Sequence, residues 1–278
     1  MLIFRYTNAE GNDVFLRDIN SVNAFIFDEN KKFVVSRRFE ASELNLFAGW
    51  KLNLPPGEYY AVCWGNANSN TQLKNFVAGV TTFDEGLIKI PANITTTGDK
   101  IYYAPYKIHP YAYYGAQGTA FDPSMTAYRF TIVANKVNVK EMFFVRAHRT
   151  INVYIMGYSG SIPATVTGTQ LCAEYDFHYS TGNIFRNFTQ TAQPITTPDG
   201  QALLASFHVG FSEITEHMEF IVRQGPGGSI LETVNLKDFI ETHSLSYGST
   251  IDILIRFSDL GVTATIPQWG TSTIKPGV

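Results

Sequence analysis

The sequence predicts an all-β protein made of two tandem β-sandwiches, and three observations carry this prediction. Apolar residues stand at every second position, at 22, 24 and 26 and again at 60, 62 and 64, which fits the two-residue period of a β-strand. Runs of this kind recur through the chain with turn residues between them, as they do in sandwich folds. Helical periodicity is rare, so a parallel sheet covered by helices is not expected.

Turn and cap residues separate the predicted strands. Residues 28–31, Asp-Glu-Asn-Lys, lie between two apolar runs and predict a hairpin. In Pro55-Pro56-Gly57 the prolines preset one backbone angle and the glycine accommodates the unusual one, which predicts a turn. Residues 225–228, Gly-Pro-Gly-Gly, precede a strand signal rather than the helix of a phosphate-binding loop, so they predict a hairpin turn. Residues 236–242 predict a short helix with Asn235 as its N-cap.

The length of 278 residues suits one large domain or two of ordinary size. We place a boundary near residue 136, which gives an N-terminal sandwich at residues 1–136 and a C-terminal sandwich at residues 137–278. A loop-rich stretch at residues 105–124 precedes this point, and residues 143–156 read as the opening strand of a new sheet. No Gly/Ser linker lies at the boundary, so we expect rigid packing of the two domains.

Composition narrows the function classes. Hydrophobic residues make up 45% of the chain, which permits a core and argues against disorder. The net charge is −3 and no basic run occurs, so nucleic acid and anionic membrane surfaces are poor partners. No stretch approaches the roughly 18 apolar residues of a membrane-spanning helix. The two cysteines, Cys63 and Cys172, fall in different predicted domains, so we predict two buried free thiols rather than a disulfide.

The residues that could carry chemistry form no convincing site. The six histidines are scattered and lack the spacing of metal ligands. Glu213, Glu216 and Glu219 recur at three-residue steps, but a glycosidase needs two carboxylates held apart in a cleft, and one local cluster does not show that. No Gly-x-Ser-x-Gly sequence is present. We therefore predict a protein that is not an enzyme, with no catalytic residue, metal or cofactor.

Three segments of the N-terminal half carry a resemblance to a known family. Residues 20–33 read Asn-Ser-Val-Asn-Ala-Phe-Ile-Phe-Asp-Glu-Asn-Lys-Lys-Phe, residues 52–59 read Leu-Asn-Leu-Pro-Pro-Gly-Glu-Tyr, and residues 63–66 read Cys-Trp-Gly-Asn. Together they resemble the fimbrial anchor subunits of Bacteroidota, which include the minor-fimbria anchors and their FimB-like, fimbrillin-related lipoprotein relatives. Weaker likeness at residues 99–103, 145–157 and 262–269 extends the resemblance over nearly the whole chain.

This resemblance implies a fold and a function. The fold implied is two tandem transthyretin-like Greek-key sandwiches. The function implied is that of a fimbrial (pilus) anchor or assembly subunit that binds fimbrillin by β-strand addition. The resemblance further implies exposure at the cell outer membrane, through a signal and a lipid-modified cysteine upstream of Met1. A glycan-binding adhesin or fimbrial tip subunit is the alternative, because anchor, shaft and tip subunits can share one fold.

Two segments are candidates for partner contact. The first segment, residues 102–114, is rich in tyrosine. Tyrosine rings with polar tips suit both protein interfaces and sugar stacking. Three interpretations stay open there: a loop that packs its own rings on the sheet, a subunit contact, or a glycan contact. The second segment, residues 262–269, alternates like a strand, and Pro267 favours an edge position because it cannot donate a hydrogen bond. The candidate residues are Tyr102, Tyr103, Tyr106, Tyr111, Tyr113, Tyr114 and Trp269.

Overall fold

The computed structural model describes residues 1–7, 11–46, 49–104, 128–137, 139–178, 180–210, 214–245 and 250–269. The predicted tyrosines Tyr106, Tyr111, Tyr113 and Tyr114 lie outside these residues. The described residues are mostly β-strand, with few and short helices, which confirms the all-β class. Within them no helix is long and apolar enough to cross a membrane.

The strands follow in chain order: β1 (Leu2–Arg5), β2 (Ser21–Asp28), β3 (Phe33–Glu40), β4 (Gly57–Gly65), β5 (Gln72–Leu73), β6 (Leu87–Lys89), β7 (Tyr102–Ala104), β8 (Tyr128–Ile132), β9 (Lys140–Phe143), β10 (Val145–Arg146), β11 (His148–Met156), β12 (Ala164–Cys172), β13 (Glu174–Asp176), β14 (Phe185–Thr191), β15 (Gln193–Thr197), β16 (Gly200–Gly210), β17 (Glu219–Gln224), β18 (Ile230–Asn235), β19 (Thr250–Ser258) and β20 (Gly261–Thr265). The helices are α1 (Phe15–Asp18), α2 (Ala41–Leu44) and α3 (Leu236–Thr242), with a 3₁₀ turn at Phe83–Glu85.

The chain forms two compact units that are not contiguous in sequence. Unit 1 contains Met1–Pro91, Asp99–Ala147 and Glu174–Gly182, whereas unit 2 contains Ala92–Gly98, His148–Ala173 and Asn183–Val278. Each unit therefore includes a short segment whose sequence neighbours belong to the other unit. The contiguous domains at 1–136 and 137–278 stay a prediction, because compactness alone does not test independent folding.

Unit 1 is built on a sheet that is buried on both faces. Its strand order is β10-β7-β4-β2-β3, and β8 also pairs with β4. On one face Ala24 and Ile26 join a cluster that includes Phe4 of β1. On the other face Phe25 and Phe27 pack in a second cluster. A strand covered on both sides is apolar at consecutive positions, which explains the unbroken run at residues 24–27.

Two smaller sheets belong to unit 1. β1 and β9 pair in parallel, and β13, β6 and β5 form a three-stranded sheet. Phe4 of β1 and Ile88 of β6 belong to the two different core clusters that flank the central sheet. The small sheets therefore supply apolar side chains to opposite faces of the large one.

Unit 2 is a β-sandwich. One sheet has the order β15-β16-β11-β19-β20, and the other has the order β14-β12-β17-β18. Along β11 the residues Ile151, Val153 and Ile155 are fully buried and alternate with more exposed ones. Phe207 of the first sheet meets Phe220 of the second with ring centroids 5.3 Å apart. The two apolar faces thus enclose one interior.

Three of the four local sequence predictions are confirmed, whereas the turn predicted at Pro55-Pro56-Gly57 is only a bend at Pro56, and Gly57 already begins β4. β2 and β3 form the hairpin expected around residues 28–31, where Asp28 Oδ1 accepts hydrogen bonds from the main-chain N–H of Asn30 and Lys32. The turn at residues 225–228 joins β17 to β18. Helix α3 has the predicted bounds, and the Asn235 side chain accepts a hydrogen bond from Asp238 N at 3.1 Å. These features depend on neighbours in sequence, so a single sequence suffices to find them.

Candidate partner-binding edge

Strand addition requires an edge strand that presents unpaired main-chain groups to a partner. In unit 2 the described edges are β15 and β20 of one sheet and β14 and β18 of the other. Three of these edges carry features that oppose pairing. β15 contains Pro194, and β18 contains the charged Glu232 and follows an irregular register with β17. β14 is accompanied by the segment at residues 92–98, where Thr95 O accepts a hydrogen bond from Thr189 N at 2.7 Å.

The edge strand β3 of unit 1 is also protected. Its exposed charged residues Arg37 and Arg38 form ion pairs with Glu43 and Glu40, respectively. Charged side chains on an edge strand discourage pairing with another sheet. The start of β3 is covered as well, because Phe33 N donates a hydrogen bond to Thr81 O and Phe33 O accepts one from Gly79 N.

β20 differs from these edges. Its sequence, Gly-Val-Thr-Ala-Thr, has no charge, proline or bulge, and it pairs only with β19 among the described residues. Ser258 pairs with Gly261 across a two-residue turn, so this pair exchanges hydrogen bonds and the alternate residues Val262 and Ala264 point their main-chain groups away from β19. Leu260, in the adjoining turn, is 100% exposed. β20 is therefore an uncharged edge with two residues ready to accept a further strand.

The candidate tyrosines that the structure describes have a packing role. Tyr102 and Tyr103 lie in β7 and are buried in unit 1. The Tyr103 hydroxyl donates a hydrogen bond to Phe177 O at 3.1 Å, and burial raises the pKa of both phenols. Their rings are thus enclosed by the core of their own chain. Partner contact by the tyrosine segment stays a prediction, and burial offers no support for it at these two positions.

Trp269 lies over the outer face of the five-stranded sheet in unit 2. Its ring meets Tyr154 edge-on, with centroids 6.2 Å apart, and it packs beside Met156 and Leu254. Pro267 is buried and follows the end of β20. The sequence pattern at residues 262–269 therefore located the edge strand, but the hairpin register was needed to identify Val262 and Ala264 as its outward residues.

The described part of the chain brings together no group of three His, Cys, Asp or Glu side chains able to hold a metal ion. The predictions of no metal, no cofactor and no catalytic residue remain predictions. Neither Cys63 nor Cys172 forms a disulfide, and both are buried, as the sequence predicted. Burial also raises the pKa of the Cys63 thiol, which keeps it in the unreactive neutral form.

Thiol titration is expected to depend on unfolding. The folded protein should react with a thiol reagent at close to zero groups per chain, because Cys63 and Cys172 are shielded from solvent. After denaturation without reductant, two groups per chain should react. A denatured monomer that shows no reactive thiol would indicate a disulfide between the two cysteines and so contradict the prediction.

Comparison with known proteins identifies the family. The model of the family described as "Fimbrillin-A associated anchor proteins Mfa1 and Mfa2" matches residues 1–275. The chain belongs to this fimbrial anchor protein family. Membership makes it a structural component of cell-surface fimbriae, in agreement with the resemblance found in its N-terminal segments. No curated protein matches the chain.

Solved structures share the fold at low sequence identity. A proposed polysaccharide-binding protein of Bacteroides thetaiotaomicron has a TM-score of 0.70 and 15% identity, over 96% of this chain and 95% of its own. A proposed adhesin of Bacteroides ovatus has a TM-score of 0.66 and 14% identity, with 96% and 92% covered. The fimbrial anchor protein Mfa2 of Porphyromonas gingivalis has a TM-score of 0.60 and 15% identity, with 95% and 93% covered. At these identities the likeness concerns the fold alone.

Proposed function

We propose that this anchor-family protein binds a fimbrillin-type subunit by β-strand addition at β20, and so attaches or initiates the fimbrial polymer. The observation that carries the proposal is the uncharged edge of β20. The main-chain N–H and C=O groups of Val262 and Ala264 on this edge point away from β19. An added strand would extend the five-stranded sheet through main-chain hydrogen bonds, and alternate side chains would give specificity. The protein acts by binding, without catalysis.

Placement at the outer membrane through a lipid anchor is part of the same proposal. An anchor needs one attachment to the membrane and one edge for the polymer. The alternative, a glycan-binding adhesin, is suggested by the polysaccharide binding proposed for the Bacteroides thetaiotaomicron protein of similar fold. It would require exposed aromatic rings, whereas Tyr102 and Tyr103 are enclosed in unit 1.

A proline substitution tests the edge with little effect on the fold. Ala264→Pro removes one outward N–H but leaves the hydrogen-bonded pairs of β19 and β20 in place, because proline is tolerated on the solvent side of an edge strand. Bacteria that carry this variant are expected to make fimbrillin but to shed it or to form fimbriae of abnormal length, as in a gene deletion. Fimbrillin in washed cells and in the medium is measured by immunoblot.

Ala264→Ser is the matched control, because serine keeps the main-chain donor and a small side chain. These cells should retain attached fimbriae. Normal attached fimbriae in the deletion strain would refute the anchor role. Normal fimbriae with Ala264→Pro alone would instead move the polymer contact away from β20. Loss of glycan binding with normal fimbriae would favour the adhesin alternative.

A further inference from the structure

We propose that a second copy of this chain occupies the β20 edge and forms a two-fold symmetric dimer through antiparallel β20–β20 pairing. An edge strand can pair with the same edge of another copy when the contact is self-complementary. β20 meets this condition because it has no charged residue that would oppose its own copy. The other described edges discussed above carry proline, charge or a covering segment.

The hairpin register selects one arrangement. Only residues whose main-chain groups point outward can exchange hydrogen bonds with a second copy, and in β20 these are Val262 and Ala264. Pairing Val262 with Ala264 of the second copy uses both residues of both strands and places Thr263 on the two-fold axis. A shift by two residues in either direction brings the turn at Leu260, or Ile266 beside Pro267, into the ladder and so reduces the number of good hydrogen bonds.

The side chains agree with this register. Val262 and Ala264 pair with Phe257 and Ile255 of β19, so they share the inner face with the fully buried Ile255. In the dimer they lie opposite Ala264 and Val262 of the second copy. Within β20 the inner row of the junction therefore consists of Val262 and Ala264 from each copy, and it is apolar.

The outer row is uncharged. Thr263 faces Thr263 of the second copy, a cross-strand pair that is favourable in antiparallel sheets, and Gly261 faces Thr265. The pairing joins two five-stranded sheets into one continuous sheet. One consequence rests on the proposed function. The dimer would regulate the binding of a fimbrial subunit, because the β20 edge is closed to that subunit until the second copy dissociates. The dimer itself does not depend on that function.

Purified protein tests the dimer without any fimbrial partner. In sedimentation velocity the mass is expected to rise from 31.0 kDa toward twice that value as the concentration increases from about 1 µM to about 1 mM. Ala264→Pro should remain monomeric over this range, whereas Ala264→Ser should associate like the unmodified chain. A chain that stays at 31.0 kDa at the highest concentration overturns the inference and leaves the proposed function untouched.

Charge variants at Thr263 test the position of the two-fold axis. Thr263 is exposed, so Thr263→Lys and Thr263→Glu should both fold, which circular dichroism can confirm. Thr263→Lys alone should be monomeric, because two lysines meet at the axis beside Arg256 of β19. In Thr263→Glu the same Arg256 offsets part of the repulsion, so that variant alone should associate more weakly than the mixture. An equimolar mixture should dimerise, and added salt should weaken that dimer. Dimers of Thr263→Lys alone as stable as those of the unmodified chain, or a mixture that stays monomeric, would overturn the β20 pairing.

Discussion

Phe177→Ala is expected to destabilise unit 1 by about 3–5 kcal/mol, the range for removal of a buried phenylalanine ring from a core. Phe177 is fully buried, although it lies in the segment at residues 174–182 whose neighbours in sequence belong to unit 2. Its ring lies 5.1 Å from that of Phe25 and 6.0 Å from that of Phe83. A Cβ on Gly86 would lie 2.3 Å from the ring, so the site is closely filled.

The measurement is urea unfolding followed by a probe of unit 1, such as fluorescence of the buried Trp64. Phe185→Ala is the matched control, because Phe185 lies in β14 of unit 2 with 40% of its surface exposed. The control should change the free energy of unfolding by much less. A Phe177→Ala protein as stable as the control would show that the 174–182 segment does not contribute to the core of unit 1.

The same segment shows where sequence analysis stops. Strand β13 pairs with β6, more than eighty residues earlier, and the Tyr175 hydroxyl donates a hydrogen bond to Ala147 O. Alternation identifies residues 172–179 as extended, but it does not state which sheet receives them. That choice depends on non-local packing with Phe25, Phe27 and Trp64. A contiguous division of the chain was therefore the natural sequence-based prediction.

The candidate edge was also only partly predictable, because strand order decides which edges are available. Pro267 and the alternation at residues 262–269 pointed to an edge strand near the end of the described chain. Whether β15, β14 or β18 is equally available depends on Pro194, on the segment at residues 92–98 and on strand order. The burial of Tyr102 and Tyr103 had no sequence signal, because aromatic residues suit both a core and an interface.

The Trp-Gly-Asn sequence that supported the family resemblance has a physical explanation. Trp64 is fully buried, and a Cβ on Gly65 would lie 3.1 Å from Ile19 and 3.2 Å from Tyr102. Asn66 has a φ of 55°, a left-handed conformation that asparagine tolerates better than most residues. The three residues thus end β4 with a buried tryptophan, a glycine that neighbouring side chains approach closely, and an asparagine that turns the chain.

Asn66→Ala is expected to destabilise unit 1 by about 2–3 kcal/mol, because it leaves partly buried main-chain groups without their partner and adds strain at a positive φ. Asn66 Oδ1 accepts a hydrogen bond from Asn20 N at 2.8 Å, and Asn66 Nδ2 donates to Asp18 O at 2.8 Å and to Lys100 O at 3.3 Å. One side chain therefore links the segments at residues 18–20 and at Lys100 to the end of β4. Urea unfolding measures the loss.

Asn66→Gly separates the two contributions. Glycine accepts the positive φ without strain but makes no side-chain hydrogen bond, so it should be about 1 kcal/mol more stable than the alanine variant and still less stable than the unmodified protein. Asn30→Ala, at an exposed turn position, should stay within about 0.5 kcal/mol. Equal stability of the alanine and glycine variants would remove backbone strain from this explanation. If Asn66→Gly were as stable as the unmodified protein, the side-chain hydrogen bonds would not explain the asparagine, and its positive φ would be the reason for it.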